Sequence, residues 1–114
     1  MDNLASNHLA NLLATHMQEI KPQLLEWTAD EDLWIRRASI LVQLKYKDQT
    51  DTQFLDTAIQ GSIHDPDFFA RKAIGWALRQ YARTDADWVR HYVSHHQDAL
   101  SSLSKREALK HIGS

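Results

Sequence analysis

Cysteine is absent from the chain, which excludes disulfides, thiolate nucleophiles and cysteine-ligated zinc and agrees with a reducing cytoplasm. Glycine and proline are scarce, at three and two residues, and the β-branched alternation that strands need is missing. No apolar run approaches the roughly 20 residues that cross a bilayer. The N-terminus has no basic stretch leading into an apolar one. These absences predict a soluble, cytoplasmic, all-α protein that is neither secreted nor membrane-spanning. A length of 114 residues leaves room for one ordinary core and no second, so residues 1–114 are expected to form a single helical domain.

An excess of positive charge is also lacking. The formal net charge of −2 argues against a wholly basic nucleic-acid binder, but the average conceals an asymmetry. Up to Ile35 the one cation, Lys21, faces Asp2, Glu19, Glu26, Asp30, Glu31 and Asp32, whereas from Arg36 onward twelve Lys and Arg face nine acids. A polyanion would therefore prefer the later segment.

What is present is apolar residues recurring at helical spacing throughout. They predict helices at about Asp2 to Thr15, Glu19 to Trp27, Glu31 to Lys47, Asp51 to Ile63, Asp65 to Arg83, Asp85 to His96 and Ser104 to His111. Asp30, Asp51, Asp65, Asp85 and Ser104 precede these runs as expected N-caps, and Pro66 suits a first helical position. Two long helices, beginning near Glu31 and Asp65, each follow a shorter one. This suggests stacked pairs of the HEAT or armadillo kind, an α-α superhelix cut short as a truncated solenoid. A stack of so few pairs leaves open faces, making self-association or a partner chain plausible.

Three helix faces ask for an explanation. Successive helical residues turn by roughly 100°, so Ala70, Ile74, Ala77 and Tyr81 share one side of their helix while Lys72, Trp76, Arg79 and Arg83 share the other. Trp76 is then either packed by a neighbouring helix with solvated cations around it, or a stacking platform flanked by phosphate-binding cations. On the preceding long helix Arg37 falls among Leu33, Trp34, Leu41 and Leu44 on the apolar stripe, where a guanidinium needs a carboxylate, a phosphate or water in a cleft. Arg36, about 100° away, is expected to be solvated. In the first helix Asp2 projects on the side of Ala5, Leu9 and Leu13, with a helix cap as its plainest role. His91 and His95, four apart beside His96, lack an evident third ligand, so no metal is expected. There is no glycine-rich phosphate loop, nucleophilic serine motif or carboxylate pair of the glycosidase kind.

Four stretches resemble the DNA alkylation repair family of HEAT-like DNA glycosylases: Leu33-Trp34-Ile35-Arg36-Arg37, Gln43-Leu44-Lys45-Tyr46-Lys47, Arg71-Lys72-Ala73-Ile74-Gly75-Trp76-Ala77-Leu78-Arg79 and Leu103-Ser104-Lys105-Arg106-Glu107-Ala108-Leu109-Lys110. Their order and separations are similar to those of the C-terminal half of that family's longer chain. The resemblance implies a curved stack whose basic concave face holds alkylated duplex DNA and hydrolyses the N-glycosidic bond of cationic alkylpurines such as N3-methyladenine and N7-methylguanine, with no cofactor. It further implies an aspartate that stabilises the oxocarbenium-like sugar, at Asp2, an arginine near the lesion's phosphate, at Arg37, and a tryptophan against the deoxyribose, at Trp76. Lys45, Lys72, Arg79 and Arg83 are the expected phosphate contacts. The family's earlier helices and a further tryptophan have no counterpart here, so a second chain could complete the cradle. A DNA-binding module without catalysis and a helical protein scaffold are the competing expectations.

Overall fold

The computed structural model describes residues 19–44, 46–110 and 112, with the backbone alone at Lys47. Asp2, Lys45 and the helix expected over Asp2 to Thr15 lie outside these residues. Among the described residues every regular element is helical. They comprise α1 (residues 19–27), α2 (Leu33–Leu41), a single 3-10 turn (Lys47–Gln49), α3 (Thr52–Gln60), α4 (Phe68–Ala82), α5 (Ala86–His95) and α6 (Ser102–Ala108). No helix among them is long and apolar enough to cross a membrane.

Asp51 and Asp85 cap α3 and α5 as expected, accepting from Phe54 N at 3.1 Å and Trp88 N at 3.0 Å. Three other expected caps are corrected. Asp32 caps α2, Asp67 caps α4 and Ser101 caps α6. For α2 and α4 the reason is a two-step entry: Asp30 accepts from Asp32 N, and Asp32 then accepts from Trp34 N, each at 2.8 Å. The same device recurs where Asp65 accepts from Asp67 N at 2.9 Å and Asp67 from Phe69 N at 2.8 Å. The first aspartate of each pair thus orders the turn and the second satisfies the helix amides. Pro66 accordingly sits in the turn before α4, not in its first position.

The helix expected to run to Lys47 stops at Leu41. Beyond it, Leu44 N bonds Leu41 O at 3.2 Å and Tyr46 N bonds Gln43 O at 3.0 Å, three-residue spacings that tighten the chain out of the α-helix. Gln43 holds this reversal. Its side chain accepts from Asp51 N at 2.7 Å and donates to Asp51 O at 3.1 Å, while Tyr46 is buried beneath.

The buried face of α2 also departs from the hydrophobic pattern. Ser39 and Ile40 of α2 and Gln43 just beyond its end face the core, and Trp34, expected on the apolar stripe, is 55% exposed. Two polar side chains can lie inside because both are satisfied locally, Ser39 by donating to Arg36 O at 2.6 Å and Gln43 as above.

The core is built from Ile40, Phe54, Ile59, Ile74, Leu78 and Val89, all nearly inaccessible. Every second helix joins one layer, with α4 in the middle touching α2 on one side and α6 on the other. α3 packs on α2, and α5 on both α4 and α6. This arrangement is compatible with a helical-repeat superhelix. Small residues on α4, Ala70, Ala73, Gly75, Ala77 and Ala82, are buried and let its neighbours approach closely.

Polar ties join successive units. Arg36, expected to be solvated, is corrected to a structural residue. It donates to Asp65 at 2.5 Å, to Ser62 Oγ at 3.1 Å and to the carbonyls of Asp30 and Glu31 at 2.6 and 3.1 Å. Lys21 pairs with Asp51, linking α1 to the start of α3. Burial would raise the Asp51 carboxyl, but the Lys21 ammonium and the Phe54 amide together hold it below the usual range. Tyr92 donates to Asp56 Oδ1 at 2.6 Å, joining α5 to α3, and burial with this partner pushes its phenol well above its ordinary value.

Candidate functional site

The face of α4 away from the core carries Phe68, Lys72, Trp76, Arg79 and Arg83 at spacings of three and four residues, which places them in one strip along the helix. Their burial agrees. Phe68, Trp76 and Arg83 are exposed and Lys72 and Arg79 half-buried, whereas Ala70, Ile74 and Ala77 opposite them are inaccessible and Tyr81 is half-buried. Trp76 is 44% exposed, so among the described residues no neighbouring helix covers it. Lys72 Nζ stands 5.9 Å from the centroid of the Trp76 ring, a cation–π arrangement one helical turn apart.

Glu107 of α6 lies beside this strip. Its Oε1 is 3.5 Å from Lys72 Nζ and 3.7 Å from Arg79 Nη1. The two cations are therefore not simply solvated, as composition alone would have them. Arg83, one turn further, is exposed at the C-cap of α4.

Arg37 differs from its neighbour Arg36. Its Nε is buried and lacks a hydrogen-bond partner, and its guanidinium sits 5.9 Å from the centroid of Trp34. A buried donor left unmatched costs about 1–3 kcal/mol. Trp34 in turn touches Phe69 with ring centroids at 5.3 Å, and Phe69 meets Phe68 edge-on at 5.4 Å. These contacts join the N-terminal ends of α2 and α4. They make one run of cations and exposed aromatic rings, from Arg37 through Trp34, Phe69 and Phe68 to the strip of Lys72 and Trp76.

Sequence reasoning singled out Arg37, Lys72, Trp76, Arg79 and Arg83, and the structure places the last four on one face of α4 and Arg37 on the adjoining helix. Asp2 and Lys45 fall outside the described residues. Four contributors were missed. The paired aromatics Phe68 and Phe69 directly after a capping aspartate, where a first turn has few neighbours to cover it, were a signal for exposure. Trp34 was hidden by the apolar-stripe assignment, and Glu107 acquires its partners from a helix remote in sequence. Among the described residues no cluster of three histidines or carboxylates could hold a metal ion. His91 and His96 instead hydrogen-bond through Nδ1 to the carbonyls of Asp87 and Tyr92, at 2.9 and 3.0 Å.

A solved structure of a predicted DNA alkylation repair enzyme from Enterococcus faecalis is similar, with a TM-score of 0.73 and 30% identity over 94% of this chain. The chain spans about half of that structure, 51% of its length. No curated protein matches. The family model described as DNA alkylation repair enzyme matches residues 1–112, and the chain belongs to that family.

Proposed function

We propose that the chain is the base-excising half of an alkylpurine DNA glycosylase, binding duplex DNA along the aromatic and cationic run of α2 and α4. The observation that carries this reading is Arg37, an arginine whose buried Nε has no partner beside exposed rings and further cations. A phosphate offers the fork-matching oxygens that a guanidinium binds best. Lys72, Arg79 and Arg83 are suited to neighbouring phosphates, and the open face of Trp76 to a deoxyribose.

The chemistry asked of such a site is modest. An N7- or N3-alkylated purine carries positive charge, so when the glycosidic C–N bond breaks the base departs neutral with the bonding electron pair. The sugar is left as an oxocarbenium ion, to which water adds at C1′ with loss of a proton. Stabilising the developing positive charge on the sugar is the main task, and a carboxylate does this electrostatically. Asp2 is assigned this role by its family position alone.

The test is release of N7-methylguanine from a methylated duplex at low salt by this chain and by its Asp2→Asn variant. Release that disappears in Asp2→Asn supports the assignment, and equal release from both overturns the role of Asp2. A second reading is favoured by the chain spanning about half of the Enterococcus structure: a DNA-binding portion whose chemistry needs the other half. That reading predicts duplex binding that weakens steeply with salt and no release. Absence of both binding and release would leave a helical scaffold.

A further inference from the structure

Glu107 is an acid set against the basic face of α4, and its position depends on Gly75. A Cβ placed at residue 75 would come within 2.6 Å of Glu107 Cβ and 3.3 Å of Ser104 O. Only a residue without a side chain therefore lets α6 lie so close to α4. Ser104 fastens the contact by donating to Arg71 O at 2.8 Å. The Glu107 side chain is 10% exposed, and its carboxylate comes out between Lys72 and Arg79, which are two turns apart with Gly75 and Trp76 between them.

We propose that Glu107 is a positioning residue for the DNA-facing cations. It draws Lys72 and Arg79 toward each other across Gly75, sets the Lys72 ammonium at the Trp76 ring, and offsets one of their two charges before any polyanion arrives. Burial makes this effect stronger than that of a surface acid, because the field between Glu107 and its partners is poorly screened. The consequence follows from charge arithmetic. Two preset cations with one internal anion bind an arbitrary phosphate backbone less tightly than two unrestrained ones would. What tight non-specific binding loses, orientation at Trp76 gains. The geometry stands by itself; its consequence for DNA rests on the reading given above.

The test uses Glu107→Gln, which keeps the shape and removes the charge. Trp76 fluorescence reports the local field without DNA, its share being obtained by difference from the same proteins carrying Trp76→Phe. Iodide, an anion, is expected to quench Trp76 more strongly in Glu107→Gln than in the parent, with quenching by neutral acrylamide unchanged. Equal iodide quenching in the two proteins overturns the proposal. Should Glu107→Gln not fold, Glu107→Asp withdraws the charge by one methylene. Iodide quenching is then expected to rise part of the way, and a parent-like value overturns the proposal.

With an unmethylated duplex, Glu107→Gln is expected to bind more tightly at low salt. Its dependence of log K on log salt steepens by about one, as for one more cation set against phosphate. The preference for methylated over unmethylated duplex is expected to shrink. An unchanged or shallower slope sinks the proposal when the parent binds duplex. If the parent binds no duplex at all, the DNA reading fails, and the iodide result alone decides whether Glu107 sets the field at Trp76.

Discussion

Arg36 and Arg37 are adjacent and chemically identical, yet their surroundings assign them opposite work. Arg36 spends its donors on Asp65, Ser62 and two carbonyls, and its side chain is 14% exposed. Replacing it with methionine strips a carboxylate of its partner and is expected to destabilise the protein by about 1.5–3 kcal/mol, the range for hydrogen bonds to charged groups. Arg37→Met removes a guanidinium whose Nε is unmatched, so stability is expected to hold or rise by up to about 1 kcal/mol. Duplex affinity is expected to fall tenfold or more, since one charge-assisted contact is worth about 1.5–3 kcal/mol. Urea unfolding and duplex titration of the two variants check both expectations. A strongly destabilised Arg37→Met would show a structural role instead. The helical turn told only that one of these arginines needed a partner. Which one had found it depended on Asp65, a residue 29 positions away.

At the scale of elements, α4 organises the molecule because its small residues admit a helix on each side. Gly75 is the sharpest instance. Alanine there gains about 1 kcal/mol of helix propensity, but its Cβ would lie 2.6 Å from that of Glu107, and overpacking of this kind costs about 1–3 kcal/mol. Gly75→Ala is therefore expected to lower the melting temperature, and an increase would mean that α6 shifts freely. Helices and most of their order could be read from apolar periodicity, and α1 falls where it was expected. Their starts were less legible because aspartates come in pairs, Asp30 with Asp32 and Asp65 with Asp67, and spacing alone does not say which caps. The buried face of α2 and the turn after it were not legible because Ser39 and Gln43 are polar by composition but have their hydrogen bonds answered inside.

Over the whole molecule, acid stability is where the ties between units should show. The Asp51 carboxyl is held below its ordinary 3.8 by Lys21 and Phe54 N. A depressed carboxyl stabilises the folded state above its unfolded value and loses that contribution as pH falls through the folded value. The melting temperature is thus expected to drop below about pH 4. Asp51→Asn, which keeps a good cap, is expected to show a lower plateau near neutrality and a flatter acid limb. Parallel curves for the two proteins would show that this pair contributes nothing. The same scale separates what each level of description decides. Sequence alone determined an all-helical chain, its family and the basic face of α4, because periodicity and motif order are local properties written along one helix at a time. Only the tertiary structure decided that Trp76 is open, that Arg36 is tied and Arg37 is not, and that Glu107 stands between Lys72 and Arg79. Each of these depends on which distant element fills the space beside a side chain, and helical spacing carries no information about that.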